Sequence, residues 1–332
     1  PGAGAGVGHP GLPAACEASG PDVVAAWRRT LQALEPCRNE IDLWQLRRLM
    51  VLEEPLELKF GHRVEGDRPV LVTAPHSIYL RRDGEQPHLV EEHTAEIAAS
   101  LAEELGGAVL TWSCVEQRRS RLLWSIARRR HFSPGSLLDP RNRDPNYLST
   151  PELADNPWCK EMLALASKWR ERAQPDQAPV TLHIDLHGCQ DPPTSPAHIT
   201  VGLGAMCVRA RRQGFRAAAD IEAFGAALKS ELNNALAGFG LPRHDELVRV
   251  VIAEPEGECR ARFSGAWPAS TGRHTQTQQA VGCAGFTHAV QLELSKEVRR
   301  LSVANASLTK RLASALRAAW ARAKRKNPNG SV

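Results

Sequence analysis

The sequence predicts an α/β sheet domain, and three patterns point to it. Short apolar runs rich in β-branched residues, such as Pro69-Val70-Leu71-Val72-Thr73, end abruptly in polar loops. Strand, long loop, helix and strand then follow one another from residue 69 to residue 112, an alternation foreign to a bundle or a sandwich. A further run, Val180 to Leu186, alternates, with Leu182, Ile184 and Leu186 on one face and His183, Asp185 and His187 on the other.

A length of 332 residues with 42% hydrophobic side chains supports one large core, or a main domain with a small appendage. Residues 1–21 are rich in Gly, Ala and Pro and are expected to form a disordered arm. Residues 22–65 are expected to form a helical N-terminal extension, because Val24, Trp27, Leu31 and Leu34 share one helical face before Pro36 breaks it. A single catalytic domain is expected over residues 66–326.

Within that domain the first strand stops at Ala74-Pro75-His76-Ser77. A helix from about Thr94 carries Ile97, Ala98, Leu101, Ala102 and Leu105 on one face and closes at Gly106-Gly107, and Ala108 to Trp112 is the next strand. Residues 118–130 are expected to be helical and basic, residues 133–156 a Pro-, Asp- and Asn-rich loop, and Pro157 to Arg172 a helix. Ile199 to Leu203 gives another strand and Phe215 to Leu236 a long helix. A polar loop is expected over residues 254–282, then a strand His288 to Leu294, then a last helix with Leu308, Leu312, Leu316 and Trp320 on one stripe.

Composition narrows the function. No apolar run reaches the roughly 18 residues that span a bilayer, so no membrane partner is expected. The formal charge is +5, and the excess lies in clusters such as Arg118, Arg119 and Arg121, then Arg128 to Arg130, then Lys324 to Lys326. These lack interleaved aromatics and any nucleic-acid-binding motif, so they are expected to be solvated faces rather than a nucleic-acid interface. The eight cysteines are scattered singly and no secretory signal is visible, which fits reduced thiols and a cytoplasmic location.

His76, His187 and Glu293 all fall where a predicted strand ends, and open α/β sheets build their sites at the carboxyl ends of strands. A hydrolytic zinc site needs three protein ligands, commonly two His and one carboxylate, with a position left for water. His76 and His187 supply the imidazoles. Glu91, just before the Thr94 helix, supplies the carboxylate, and Glu92 beside it is equally suitable on chemistry alone. Glu293 suits the group that takes and returns a proton, since a glutamate in an apolar strand is costly to bury without a role. Asp185 is placed to orient the imidazole of His187 from behind. Each residue also has a plain reading: a capped histidine, a solvated helix-entry glutamate, or a buried pair of Glu293 with Arg299.

Four segments together resemble the N-formylglutamate amidohydrolase family and its relatives that cleave poly-γ-glutamate. They are Ala74-Pro75-His76-Ser77, Glu91-Glu92-His93-Thr94-Ala95-Glu96-Ile97-Ala98, Asp185-Leu186-His187-Gly188, and Gln291-Leu292-Glu293-Leu294-Ser295 followed by Arg299. The resemblance covers about residues 66 to 300. It implies a three-layer α/β/α fold with a mixed central sheet, of phosphorylase/hydrolase and zinc carboxypeptidase type. It also implies Zn2+ held by His76, Glu91 and His187, with Glu91 favoured above Glu92, and Glu293 as general acid/base.

This chain departs from the family in two places. Ile78 stands where the family usually has Gly, and the segment carrying Asp, Asn and Arg appears as Arg141-Asn142-Arg143-Asp144-Pro145-Asn146-Tyr147, in altered order. Arg141 or Arg143 is therefore expected to clamp an oxyanion or carboxylate, and Asn146, Gln291 and Arg299 to contact substrate. The resemblance implies an amide-cleaving hydrolase acting on a small-molecule or peptide substrate that bears a carboxylate. Two rival readings are a non-catalytic descendant that keeps the fold and binds a metal or ligand, and a nucleic-acid-associated protein using its arginine clusters.

Overall fold

The computed structural model describes residues 62–82, 86–113, 116–117, 120–121, 143–173, 179–241, 250–253 and 263–326. The expected N-terminal arm, nearly all of the helical extension and most of the basic helix at 118–130 lie outside the described residues, as does the loop stretch 133–142. The described residues belong to one compact unit, Lys59–Val332.

Its centre is a mixed sheet of seven strands in the order β1-β3-β2-β5-β9-β6-β7. These are β1 (His62–Val64), β2 (Val70–Ala74), β3 (Ala108–Thr111), β5 (Leu182–Gly188), β6 (Ile199–Gly202), β7 (Val250–Ala253) and β9 (His288–Leu294). The four strands β3, β2, β5 and β9 run parallel to one another. β6 runs antiparallel to β9 and carries β7 parallel to itself, and β1 lies antiparallel on the far edge. His62–Val64 was expected in the helical extension; its three residues are too short for any periodicity to show, and they pair with β3 instead.

Helices cover both faces. α1 (Thr94–Leu105), α4 (Gly204–Gln213), α5 (Phe215–Leu236), α7 (Lys296–Ala304) and α8 (Ala306–Lys326) join α2 (Thr150–Leu153), α3 (Pro157–Arg172) and α6 (Gln276–Gln279). Phe224 of α5 meets His288 on one face of β9, while Phe286 links Trp169 of α3 to His183, whose face is the opposite one. α1 starts with Thr94 Oγ1 donating to Glu91 O at 2.8 Å and ends at Gly106, whose φ of 68° is the left-handed cap that glycine adopts without cost. Asn156 caps α3, its side chain accepting from the Trp158 and Cys159 amides, with Pro157 at the first helical position. Leu308, Leu312, Leu316 and Trp320 are all buried on α8, as their spacing predicts.

Of the loop expected over 254–282, residues 254–262 lie outside the described residues, and the rest is more structured than its composition suggests. Residues 263–282 hold a 3-10 turn, the short strand β8 (Arg273–His274), paired with β4 (Leu148–Ser149), then α6 and most of a π-helical turn over Ala280–Ala284. The 3-10 turn, β8 and α6 are short and largely polar, so no periodicity marks them; Thr275 and Gln278 form a capping box at the start of α6.

Candidate metal centre

Because β2, β5 and β9 are parallel, their carboxyl ends share one edge of the sheet. β2 leads through Pro75 into His76, with Trp112 Nε1 donating to the Pro75 carbonyl at 2.6 Å. Near the end of β5, His187 lies in register with Glu293 of β9. Behind them runs a buried polar stripe: Thr73 Oγ1 lies 3.0 Å from His183 Nε2 and donates to Asp185 Oδ1 at 2.9 Å. The third component comes from the loop before α1. His93 takes a left-handed φ of 70°, alone among the described non-glycine residues. Next to this turn Glu91 is buried and Glu92 is exposed, and the Glu91 amide donates to His76 O at 2.8 Å.

Three potential ligand atoms converge here. His76 Nδ1 lies 3.0 Å from Glu91 Oε1 and 3.0 Å from His187 Nδ1, and His187 Nδ1 lies 3.3 Å from Glu91 Oε2. Ligands about 2.0–2.2 Å from a zinc ion at tetrahedral angles stand about 3.3 Å apart, so the spacing fits a shared cation. Two N–H groups facing each other at 3.0 Å would repel, whereas two ring lone pairs and a carboxylate around one cation attract. The far nitrogens are held as well: His76 Nε2 lies 2.9 Å from Asp144 Oδ1, and His187 Nε2 lies 3.1 Å from Asp185 Oδ2. A carboxylate behind each imidazole fixes the ring and raises its basicity, the arrangement usual for metal-binding histidines. His76, Glu91 and His187 thus form a group that could hold a metal ion.

The electrostatics favour positive charge at this point. Burial works against protonating His76 and His187, yet the carboxylates of Asp144 and Glu91 raise the first, and those of Asp185 and Glu91 raise the second well above its ordinary value. Burial likewise opposes ionising Glu91, but His76 and His187 hold its carboxyl well below the usual range; His76 and Arg82 do the same for Asp144. Glu293 goes the other way. Burial, joined by the nearby charge of Glu91 and opposed by His187, pushes it up to about 7. Its neighbour Gln291 donates from Nε2 to Glu293 Oε1 at 2.7 Å.

His76, Glu91, His187, Gln291 and Glu293 line a cleft of about 560 Å³ with Arg82, His88, Trp267 and Phe263 on its walls. Arg82 donates from Nε to Asp144 Oδ2 at 2.6 Å, and the His88 ring stacks on His76 with centroids 3.7 Å apart. Asn146 Nδ2 lies 2.8 Å from His187 Nε2, and Asn146 Oδ1 accepts from the Gln276 amide.

The structure gathers His76, Glu91, His187, Asp185, Asn146, Gln291 and Glu293 in one place, with Arg299 on the cleft wall and Arg143 turned to another partner. Arg141 lies outside the described residues. Arg143 is ion-paired with Glu152 rather than lining the cleft, because Asp144, the next residue, turns inward to His76 and sends Arg143 to the opposite side. Arg299 is at the cleft wall, but its guanidinium donates to the carbonyls of Leu294, Glu92 and Cys189 rather than to Glu293. It thereby ties β9 to the loop before α1. Gly188 makes room for it: a Cβ there would stand 2.6 Å from the guanidinium carbon. Sequence reasoning missed Asp144, Arg82 and His88. Asp144 carried a signal, as the acidic member of the segment already singled out at 141–147. Arg82 and His88 carried none, since no local pattern announces the Leu80–His88 bridge or the bond from Arg82 to Asp144.

The choice between Glu91 and Glu92 has a direct test. Glu91→Ala is expected to weaken zinc binding by orders of magnitude and Glu92→Ala to change it little, measured by competition with a chromophoric chelator. The reverse order would show that the exposed glutamate is the ligand.

No family model matches the chain, and no curated protein matches it. Among solved structures the chain is similar to a gene product of Agrobacterium tumefaciens, with TM-score 0.41 and 11% identity over 80% of this chain and 94% of that one. It is similar also to a bacteriophage poly-γ-glutamate hydrolase, with TM-score 0.36 and 14% identity over 82% and 93%. A third similar structure is the succinylglutamate desuccinylase of Chromobacterium violaceum, with TM-score 0.39 and 12% identity over 85% and 76%. At this distance the site's own residues carry the functional reading.

Proposed function

We propose that the chain is a zinc-dependent amidohydrolase that cleaves the amide bond of an N-acyl amino acid or γ-glutamyl-like substrate bearing a carboxylate. The observation that carries this reading is the convergence of His76 Nδ1, Glu91 and His187 Nδ1, with Asp144 and Asp185 behind the two rings, beside a buried glutamate in an open cleft. Two imidazoles and one carboxylate are a hydrolytic zinc set, and bound zinc supplies a water of lowered pKa and a polarised carbonyl.

The chain's own residues do the rest. Glu293, with a carboxyl balanced near neutrality, takes a proton at its carboxylate and returns it to the leaving nitrogen. Asp144 and Asp185 keep the two imidazoles turned with Nδ1 inward. Arg82 lines the cleft, and among the described residues its Nε donates to Asp144 while its two amino groups have no hydrogen-bond partner, which suits them to a substrate carboxylate or the developing oxyanion. Trp267, ordered by its Nε1 bond to Asn146 O at 2.8 Å, offers an apolar wall for the acyl group.

A panel of N-acylated amino acids and γ-glutamyl peptides, each paired with its carboxamide-capped counterpart, tests both substrate class and clamp. Hydrolysis of free-acid members is expected to exceed that of the capped ones. Arg82→Ala is expected to raise KM for the free acids by roughly ten- to a hundredfold, the value of about 1.5–3 kcal/mol for a hydrogen bond to a charged group, and to leave KM for capped substrates nearly unchanged. Equal effects on both sets would remove Arg82 from carboxylate recognition, and no turnover across the panel by the zinc-loaded chain would favour a non-catalytic binder.

A further inference from the structure

We propose that Arg299 is the positioning residue of the candidate metal centre, its single guanidinium holding in register the three segments that carry Glu91, His187 and Glu293. This role rests on the zinc reading of the cleft and adds to it the group that assembles the site before any metal binds. Arg299 stands near the start of α7 and is 7% exposed. Its Nε donates to Leu294 O at 3.2 Å, one amino group donates to Glu92 O, and the other donates to Cys189 O at 3.2 Å. Leu294 follows Glu293, Glu92 follows Glu91, and Cys189 stands two residues after His187. One side chain thus reaches the backbone beside three functional groups that are far apart in sequence.

The planar fork of a guanidinium fixes the directions of its donors, so bonding three carbonyls fixes three segments against one another. Burying a cation is costly unless its N–H groups are satisfied, and here backbone oxygens do so. The bond to Glu92 O has a particular consequence. That carbonyl immediately precedes His93, whose left-handed φ of 70° is unfavourable for a residue with a side chain and needs outside contacts to persist. This is the turn that buries Glu91 and exposes Glu92.

Gly188 supplies a second, independent observation. A Cβ there would stand 2.6 Å from the guanidinium carbon and 2.8 Å from Nε, so a side chain at 188 would push the guanidinium off its carbonyls. The Gly188 amide also donates to Glu91 Oε2 at 2.8 Å, which links the end of β5 to the metal-facing carboxylate. Arg299 therefore acts on the site through backbone, and its effect on metal binding is indirect.

The test follows amide hydrogen exchange in the metal-free, full-length chain by mass spectrometry, beside zinc affinity by chelator competition. Arg299→Lys keeps the charge and the stem but loses the fork. It is expected to speed exchange in peptides covering residues 89–94 and 187–190 while peptides covering β2 stay protected, and to lower zinc affinity by roughly ten- to a hundredfold. Gly188→Ala, with the arginine intact, is expected to reproduce both changes. Made on top of Arg299→Ala, it is expected to cost no more than about a further twofold in zinc affinity, because no guanidinium is left to displace. The proposal is overturned if Arg299→Lys binds zinc as wild type does, if exchange rises equally in the β2 peptides, or if the losses from Gly188→Ala and Arg299→Ala simply multiply. A wild-type chain that binds no zinc contradicts the zinc reading instead, and the exchange pattern of the metal-free variants still decides for or against Arg299.

Discussion

Glu293→Gln is expected to lower turnover by at least roughly a hundredfold, because general acid/base catalysis is worth about 10² to 10⁴ in rate and, in the function proposed above, one group serves both proton transfers. Zinc content and KM are expected to stay near wild type, as when an interaction made only in the transition state is removed. Glutamine keeps the size of the side chain and can still accept from Gln291 Nε2, as Glu293 Oε1 does, but it cannot take a proton. Stability supplies a second readout. A carboxyl whose folded pKa is raised to about 7 binds its proton more tightly in the folded than in the unfolded chain, so stability falls as pH rises from about 4.5 to about 7. In the metal-free protein at pH 8, Glu293→Gln is therefore expected to be more stable than wild type, by on the order of 1–3 kcal/mol, with the gain vanishing below about pH 5. A structural role for Glu293 predicts the opposite: a lower melting temperature at pH 8 and preserved turnover per folded molecule.

His76→Ala and His187→Ala are the second large effect. Structural zinc sites gain about 10–16 kcal/mol from about four ligands, so loss of one imidazole is expected to cost roughly a hundred- to thousandfold in zinc affinity. The fold is expected to persist, since both histidines stand at the sheet's edge rather than among the apolar side chains of the core. The variants do differ in one respect. His76→Ala leaves the buried Asp144 carboxylate facing Arg82 with no imidazole, and His187→Ala leaves Asp185 with the hydrogen bonds of Thr73 and Asn146. Circular dichroism beside a competitive zinc titration separates metal loss from unfolding; full zinc affinity in both variants would place the metal elsewhere.

Periodicity made much of this molecule readable. The stripe of His183, Asp185 and His187 on β5, the bounds of α3, α5 and β9, and the buried face of α8 all follow from spacing that packing alone imposes. Elements that lack such spacing were not readable. α4 begins at Gly204 straight after a strand, with Leu203 at its cap and no capping side chain, and β7 is a four-residue edge strand. Within the site, residues at strand ends could be named because a parallel sheet must bring those ends together. Asp144 and Arg82 reach the cluster through loops whose path no local pattern fixes, and the arginines chosen for their chemistry at 141 and 143 could not be told from Arg82 by type. Glu91 and Glu92 were separable in sequence only by resemblance; the turn at His93 separates them in space.

Zinc stoichiometry of the unaltered chain bears most directly on the proposed zinc site. The purified protein, stripped with chelator, equilibrated with excess zinc and desalted, is expected to retain about one zinc per chain by mass spectrometry, and the His76→Ala/His187→Ala double variant close to none. A wild-type chain that retains no zinc, or a double variant that retains as much as wild type, would contradict the assignment of His76, Glu91 and His187 as its ligands.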